Sequence, residues 1–242
     1  MSERLAIEGT HNFRDVGGYP ALGGVTREGQ LYRSDSLGGV TPRGAEALAR
    51  LHIGVVVDLR SDLEIRQDRA PEPLAEALIV RVPIHGGSRS SMLEEELPSL
   101  ESLYRQVLRD SAWSITAAVS AIAESGCTPA LVRCTAGKDR TGLVVALTLA
   151  AAGVEREAVV ADYTQSALNL DGAWMDQTLT MMVSNGVPIS SALFEVLGGS
   201  PDHAMSRVLT WLEQEHGSIA GYLQAHGLLD GAVADLRRKL VA

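Results

Sequence analysis

Short apolar runs separated by helical patterns are the feature of this chain that most restricts its fold. Val55-Val56-Val57 is β-branched and does not alternate with polar residues, and residues 78–82 and 130–132 are runs of the same kind. A strand without alternation is covered on both faces, which is typical of a parallel sheet with helices on either side. We therefore predict an α/β fold with a central, mostly parallel sheet flanked by helices.

Helical patterns lie between these runs and fill the last third of the chain. The first begins at Thr41-Pro42, where a capping hydroxyl precedes a proline at the first helical position, and Gly54 can end it. No repeat or linker divides the sequence, so we expect one domain over residues 1–242 with a helical C-terminal third. Glycine-containing segments at 86–91 and 198–201 are candidate lids. The further predicted helices cover residues 97–109, 112–124, 140–152, 156–168, 173–185, 202–215, 219–226 and 231–241.

The composition excludes several classes of protein. Hydrophobic residues make up 45% and charged residues 21%, which argues against a disordered chain. The net charge of −9 argues against a nucleic-acid partner, because neutralising a phosphate backbone needs a basic surface. The longest apolar stretch, residues 143–154, is shorter than the roughly 20 residues that span a bilayer, so no stable membrane insertion is expected. Two cysteines make neither a disulfide framework nor a common zinc site, and together with the absence of a secretory signal they predict a cytoplasmic protein.

The stretch from Leu131 to Gly142, LVRCTAGKDRTG, carries the chemistry. It begins as a predicted strand, turns, and enters an apolar helix at Arg140, which is the geometry that directs backbone N–H groups at an anion. Cys134 lies at the strand end beneath those donors, where the helix dipole and Arg140 favour a thiolate. The Arg140 guanidinium can bind two phosphate oxygens, and the Thr141 hydroxyl can stabilise the sulfur as a leaving group. A nucleophile, an anion-binding loop and a cationic clamp together indicate phosphoryl transfer through a phosphocysteine.

The run from Cys134 to Gly142 resembles the signature loop of cysteine-dependent protein tyrosine phosphatases, and more narrowly that of their bacterial atypical branch. Other segments match this branch in the expected order: NFRDVGG at 12–18, LYRSD at 31–35, VDLR at 57–60 and, more weakly, HGSIAGYL at 216–223. The resemblance implies a tyrosine-phosphatase-like fold and a dual- or triple-specificity phosphatase that uses no metal or other cofactor. Such enzymes act on phosphotyrosine, sometimes on phosphoserine or phosphothreonine, and in several cases on phosphoinositides.

The resemblance also implies roles for individual residues. Cys134 would be the nucleophile and Arg140 the phosphate clamp. Lys138, one of only two lysines among the 21 Lys+Arg residues, would add a second positive charge at the mouth of the loop. The residues whose backbone would hold the phosphate are Thr135, Ala136, Gly137, Lys138 and Asp139. Further contacts with substrate are expected from Thr141, Asp58, Arg60 and Arg14. For the two arginines, a surface salt bridge is an equally open alternative.

Two aspartates could supply the general acid that protonates the leaving oxygen. Asp139 lies inside the signature loop, where myotubularin-like lipid phosphatases also place an aspartate. Asp58 ends its predicted strand, and the carboxyl ends of parallel strands carry the ligand-binding groups of α/β sheets. We favour Asp139; Asp58 would otherwise be a carboxylate that orients Arg60 or Arg140. Arg133 stands where this superfamily normally has a histidine, and strand alternation directs its side chain to the face opposite the cysteine.

These observations predict a phosphomonoesterase that acts on a phosphorylated protein, a phosphoinositide or a small-molecule phosphate. The alternative is a biosynthetic phosphatase for a small metabolite such as a nucleotide or sugar phosphate, which the acidic surface and the missing histidine make credible. A phosphate-binding module without catalysis is disfavoured, because the loop holds every group that the chemistry needs. Sulfur transfer is a remote fourth hypothesis, because the loop matches it poorly.

Overall fold

The described part of the chain comprises residues 5–68, 74–85, 98–184 and 186–242 of a computed structural model. Its strands are β1 (Arg14–Asp15), β2 (Pro20–Ala21), β3 (Gly24–Val25), β4 (Leu31–Ser34), β5 (Val55–Asp58), β6 (Leu78–Arg81) and β7 (Ala130–Arg133). Five of them form one sheet in the order β1-β4-β7-β5-β6, and β2 pairs with β3 in a separate hairpin. β4, β7, β5 and β6 run parallel, and β1 is antiparallel to β4. The predicted α/β fold with a central, mostly parallel sheet is confirmed.

Helices surround this sheet and form the last third of the chain. The described helices are α1 (Pro42–Ala49), α2 (Asp62–Gln67), α3 (Leu100–Asp110), α4 (Ala112–Glu124), α5 (Asp139–Ala152), α6 (Arg156–Asn169), α7 (Ala173–Ser184), α8 (Ser191–Gly198), α9 (Asp202–His216), α10 (Ile219–Ala225) and α11 (Ala232–Leu240). In the described residues, no helix is both long enough and apolar enough to cross a bilayer.

The two faces of the sheet pack against different cores, because successive side chains of a strand point to opposite sides. Val55 and Val57 of β5 belong to the larger core, together with residues of α3, α4 and α5. Val56 of β5 and Leu131 of β7 belong to a smaller core with α1. Cys134 lies on the side of the larger core. This alternation decides which polar side chains at the carboxyl ends of the strands can reach the sulfur.

Helix α5 fixes the position of the loop that precedes it. Eleven of its 14 residues are buried, because α4, α6, α10 and α11 all pack around it. It ends at Gly153, which adopts a left-handed conformation with φ of 95°. A helix enclosed on every side cannot shift without disturbing the core, so its first turn is a rigid support for a site.

Several boundaries differ from the sequence prediction for physical reasons. The run at 78–82 was predicted as a strand covered on both faces, but β6 is an edge strand and Leu78 is 65% exposed. The short helices α2 and α8 were not predicted, because each has fewer than three turns of pattern. Helix α4 matches its prediction residue for residue.

The two candidate lids have different outcomes. The segment 86–91 lies outside the described residues. The segment 198–201 includes Ser200, which is buried; its hydroxyl accepts a hydrogen bond from the Ala167 N–H at 2.8 Å and donates to the Thr164 carbonyl at 3.1 Å. These two bonds anchor the segment to α6.

Candidate active site

The signature loop joins β7 to α5 and turns around the sulfur of Cys134. Cys134 is buried, and the Gly137 N–H donates a hydrogen bond to its Sγ at 3.2 Å. Gly137 has a φ of 65°, and a Cβ there would lie 2.4 Å from the carbonyl carbon and oxygen of Ser34. Glycine alone permits both the left-handed turn and this contact. The end of β4 therefore packs directly against the loop.

The loop carbonyls are held from outside by side chains of the first forty residues. The Asn12 amide donates to the carbonyls of Ala136 and Gly137, each at 3.1 Å. The Arg33 guanidinium donates to the Gly137 carbonyl at 2.7 Å. In a trans peptide the N–H points away from the preceding C=O, so the amides of Gly137 and Lys138 point inward. The loop is therefore preformed as a site for an anion.

Arg14 and Arg33 share one carboxylate next to the loop. Both guanidinium groups are fully buried and both bind Asp162 of α6, with Arg14 Nε 3.0 Å from Oδ1 and Arg33 on Oδ2. Burial and the charge of Arg33 lower the pKa of Arg14 to about 10, and Asp162 offsets this only in part. Arg14 also donates to the side-chain oxygen of Asn12. Arg14, for which a substrate contact and a salt bridge were both open, is buried in a salt bridge, where it supports the residue that anchors the loop.

Arg140, the predicted phosphate clamp, is held by a glutamate that none of the motifs contains. Two terminal nitrogens of Arg140 lie 2.6 and 3.0 Å from the two carboxylate oxygens of Glu64. Glu64 is fixed at the start of α2 by a capping box, in which it accepts bonds from the N–H and hydroxyl of Ser61. Burial alone would raise the pKa of Glu64, but the hydrogen bonds and charge of Arg140 hold it well below its usual range. The Ser-x-x-Glu spacing was the available signal, since it places a carboxylate at a helix start directly after β5.

Two threonines of the loop have different surroundings. Thr135 is exposed and its hydroxyl donates to Glu64, while its carbonyl accepts from the Ser36 N–H at 2.9 Å. Thr141 is fully buried, and its hydroxyl has no hydrogen-bond partner in the part of the chain that the structure describes. A buried hydroxyl left unpaired costs about 1–3 kcal/mol. The Thr141 hydroxyl is therefore available to a group that enters the loop, although no bond to the sulfur is present.

Asp139 is the first residue of α5, and its side chain is 37% exposed. The Tyr104 hydroxyl of α3 donates to Asp139 Oδ1 at 2.5 Å and lies 2.8 Å from the Tyr163 hydroxyl of α6. Lys138 Nζ is 3.5 Å from the same carboxylate oxygen. Burial and the charge of Asp139 raise the pKa of Tyr104 well above its usual value, so its hydroxyl stays protonated. Oδ1 is thus occupied from the protein side, whereas Oδ2 accepts no hydrogen bond within the described residues.

Asp58 and Arg60 lie on the other face of the sheet. Asp58 is 2% exposed, its carboxylate oxygens lie 2.9 and 2.7 Å from Arg60 Nε and Nη2, and Arg133 Nη2 is 3.0 Å from the second oxygen. Burial raises the pKa of Asp58, but hydrogen bonds and charges of Arg60 and Arg133 outweigh it and leave the pKa lowered. Asp58 and Arg60 are buried partners of each other, which is the alternative to a role of Asp58 as general acid. Arg133 points away from Cys134, as strand alternation predicts.

Lys138 is buried beside helix α8 and does not stand at the mouth of the loop. It is 1% exposed, and its ammonium group donates to the carbonyls of Val196, Leu197 and Gly199 at 2.5, 3.2 and 2.8 Å. These carbonyls end α8, where a helix leaves acceptors without partners and favours a cation. The expected second charge at the mouth is therefore used inside the protein.

The structure gathers most of the predicted site around one loop. In the described residues, no group of three or more His, Cys, Asp or Glu side chains is placed to hold a metal ion. The predicted residues that the loop brings together are Cys134, Thr135, Ala136, Gly137, Asp139, Arg140 and Thr141. The predicted residues buried in contacts of their own are Arg14, Asp58, Arg60 and Lys138.

Known proteins resemble this chain over nearly its whole length. The triple specificity protein phosphatase PtpB of Mycobacterium tuberculosis is 28% identical, over 97% of this chain and 98% of PtpB. A protein named as a tyrosine-protein phosphatase in Cupriavidus necator is 32% identical, over 98% of this chain and 88% of that protein. Among solved structures, P. aeruginosa TpbA aligns with a TM-score of 0.32 and 18% identity, over 86% of this chain and 84% of TpbA. Residues 5–242 match the tyrosine phosphatase family. The chain belongs to the tyrosine phosphatase family.

Proposed function

We propose that this chain hydrolyses phosphotyrosine through a phosphocysteine formed on Cys134. The observation that carries the proposal is the position of the buried sulfur, 3.2 Å from the inward Gly137 amide, in a loop that Arg140 follows. Donors fixed before substrate arrives stabilise developing charge on the transferred group without reorganisation. The family match and the specificity named for PtpB support the same substrate class.

The first step transfers the phosphoryl group to the protein. The Cys134 thiolate attacks phosphorus, so that the S–P bond forms while the bond from phosphorus to the leaving oxygen breaks. Inward amides and the Arg140 guanidinium bind the equatorial oxygens. Asp139, exposed beside the loop, gives its proton to the leaving phenolate oxygen and becomes a carboxylate.

The second step regenerates the protein. Water attacks phosphorus from the side that the phenol has left, and the Asp139 carboxylate takes one of its protons. The S–P bond breaks, Cys134 returns as a thiolate, and inorganic phosphate leaves. Asp58 has no part in either step, because Arg60 and Arg133 occupy its carboxylate on the other face of the sheet.

The cations at the site favour substrates that carry a single phosphoryl group. Arg140, with 17% of its side chain exposed, is a clamp that an incoming phosphate can reach. Arg14, Arg60 and Lys138 are buried and already paired. Polyphosphorylated inositides need several accessible cations, so phosphorylated proteins are the better match. Phosphotyrosine is the leading substrate, with phosphoserine and phosphothreonine as secondary ones.

Substitution of the nucleophile tests the proposal. Cys134→Ser is expected to abolish turnover of a phosphotyrosine peptide while the variant still binds that peptide in calorimetry. Cys127→Ser is the matched control, because that thiol is exposed at the opposite end of β7, and it should keep wild-type turnover. Phosphocysteine trapped by rapid acid quench and located by mass spectrometry should map to residue 134. Wild-type turnover in Cys134→Ser would overturn the proposal.

A substrate panel tests the class of substrate. Values of kcat/KM are compared for phosphotyrosine and phosphoserine peptides, a phosphatidylinositol bisphosphate and a nucleoside monophosphate. We expect the phosphotyrosine peptide to have the highest value. A nucleotide favoured over every peptide would replace the protein substrate with a small metabolite, and a favoured inositide bisphosphate would contradict the argument from accessible cations.

A further inference from the structure

We infer that Tyr104, supported by Tyr163, is a positioning residue that selects the oxygen of Asp139 from which the catalytic proton is transferred. The inference deepens the proposed function and rests on it. It follows from the contact between the Tyr104 hydroxyl and Asp139 Oδ1, which joins the start of α5 to α3 and α6.

While Asp139 is ionised, a count of protons fixes the direction of the chain of hydrogen bonds. A tyrosine hydroxyl has one proton to donate, and an ionised carboxylate has none. Tyr104 uses its proton on Asp139 Oδ1, so the 2.8 Å contact with Tyr163 must be a bond that Tyr163 donates. The order is therefore Tyr163 to Tyr104 to Asp139. Both rings are buried and meet edge to face, with centroids 6.0 Å apart, which holds the two hydroxyls in place.

This arrangement treats the two oxygens of Asp139 differently. Oδ1 accepts from Tyr104 and lies 3.5 Å from Lys138 Nζ. Because an ammonium group carries a positive charge and can only donate, it disfavours a proton on Oδ1 when Asp139 is protonated. When Asp139 is protonated, the proton therefore resides on Oδ2. In the first step Oδ2 gives this proton to the leaving oxygen, and in the second it accepts one from the attacking water. Tyr104 keeps its own proton throughout, so its role is to position Asp139 and not to transfer a proton.

The groups that face Asp139 come from several elements. Tyr104 of α3 bonds to it, and Tyr163 of α6 stands behind Tyr104. Lys138 and Arg140 flank it in the chain, and the charge of Asp139 is felt at Arg140. Two more groups act indirectly. The charge of Arg33 of β4 acts on Tyr163, and the charge of Cys134 acts on Arg140. Of the bonds to Asp139 described here, the one from Tyr104 can be deleted without removing a charge.

The test compares Tyr104→Phe, Tyr163→Phe and Asp139→Asn on two substrates that differ in their leaving group. Phosphotyrosine releases a weakly acidic phenol that needs protonation, whereas p-nitrophenyl phosphate releases a much more acidic one. General acid catalysis contributes about 10²–10⁴-fold, so we expect the misdirected acid of Tyr104→Phe to lower kcat about tenfold on phosphotyrosine and about twofold or less on p-nitrophenyl phosphate. Tyr163→Phe should show the same pattern with a smaller loss.

The pH profile is a second readout that a purely structural role would not move. A hydrogen bond donated to a carboxylate favours its charged form. Deleting the Tyr104 hydroxyl should therefore move the alkaline limb of kcat/KM for phosphotyrosine to higher pH. The acidic limb should stay where it is.

A double substitution shows whether Tyr104 acts through Asp139. In the Asp139→Asn background, adding Tyr104→Phe should cost nothing more, because groups that act as one unit are not additive. Tyr222→Phe is the matched control: its buried hydroxyl donates to the Leu108 carbonyl at 2.6 Å, and its loss should leave both substrates unaffected. Thermal melts are expected to show that each variant is folded at the assay temperature.

The possible failures are distinguishable. Equal loss on both substrates with an unmoved alkaline limb, or additive losses in the double variant, would overturn the positioning role. An Asp139→Asn variant that keeps the wild-type kcat on phosphotyrosine would overturn it as well. In that case, phosphocysteine trapped on Cys134 would show that the proposed function still stands. Absence of phosphocysteine in the wild type would instead refute the proposed function itself.

Discussion

Lys138→Met separates two roles for the buried lysine of the loop. Methionine keeps the length and apolar stem of the side chain but removes the ammonium group. Lys138 Nζ bonds to three carbonyls at the end of α8, at 2.5, 3.2 and 2.8 Å. Hydrogen bonds from a charged donor stabilise the fold by about 1.5–3 kcal/mol each. Removing the charge also removes the cost of burying it, which offsets part of the lost stability. We estimate a net loss of about 3 kcal/mol, at the upper end of ordinary single substitutions.

That loss is measurable by thermal unfolding. A change of 1 kcal/mol shifts Tm by about 2–4 °C in a chain of this size, so Lys138→Met should unfold about 6–12 °C lower than wild type. Hydrogen exchange should show faster exchange of the α8 amides. Lys239→Met is the control: Lys239 is also buried and donates to the carbonyls of Gly126 and Thr128 at 2.9 and 2.6 Å. It should lower Tm but leave α8 exchange and kcat/KM unchanged.

One result would refute this reasoning. If Lys138→Met keeps the wild-type Tm and α8 exchange while KM for a phosphotyrosine peptide rises, the ammonium group faces substrate. The charge would then stand at the mouth of the loop, and the contact with α8 would be wrong.

Two further predictions concern charge. Glu64→Gln keeps the shape of the Arg140 partner but removes its charge. A partly exposed ion pair contributes about 1 kcal/mol, so kcat/KM should fall about fivefold. An unchanged kcat/KM would show that Arg140 needs no charged partner. Burial lowers the pKa of Lys239 to about 8, below its ordinary value of 10.5, so between these values the unfolded chain binds more protons and the free energy of unfolding rises with pH. Urea titrations at about pH 7.5 and about pH 9.5 should show this rise in wild type and lose it in Lys239→Met, and equal rises would assign it to other groups.

Local patterns predicted the fold well, because a run of apolar residues directly reflects the burial of the strand or helix that it forms. The unalternating run Val55-Val56-Val57 indicated a central parallel strand, and β5 lies between β7 and β6. The apolar stretch after the loop indicated a buried helix, and α5 is enclosed. The run at 78–82 failed, because apolar content alone does not distinguish a central strand from an edge strand.

The structure brings the predicted site residues together where they are neighbours in sequence. Cys134 and Arg140 belong to one loop whose geometry its own motif specifies. Other long side chains have partners that lie far along the chain: Arg14 pairs with Asp162, and Lys138 pairs with carbonyls of α8. Spacing does not reveal such partners. The sequence pattern around Glu64 indicates only a helix cap, and its contact with Arg140 arises from the folded chain.

The anchored carbonyls of the loop have a consequence for protein engineering. Asn12 and Arg33 hold the loop from positions more than a hundred residues away in sequence, and Arg33 is held in turn by Asp162. The conformation of the loop thus depends on side chains that lie far from it in sequence. Transplanting residues 134–140 into another strand–helix junction would transfer the reactive groups without their scaffold. A functional graft needs these three distant side chains as well, because a site is only as exact as the shell that supports it.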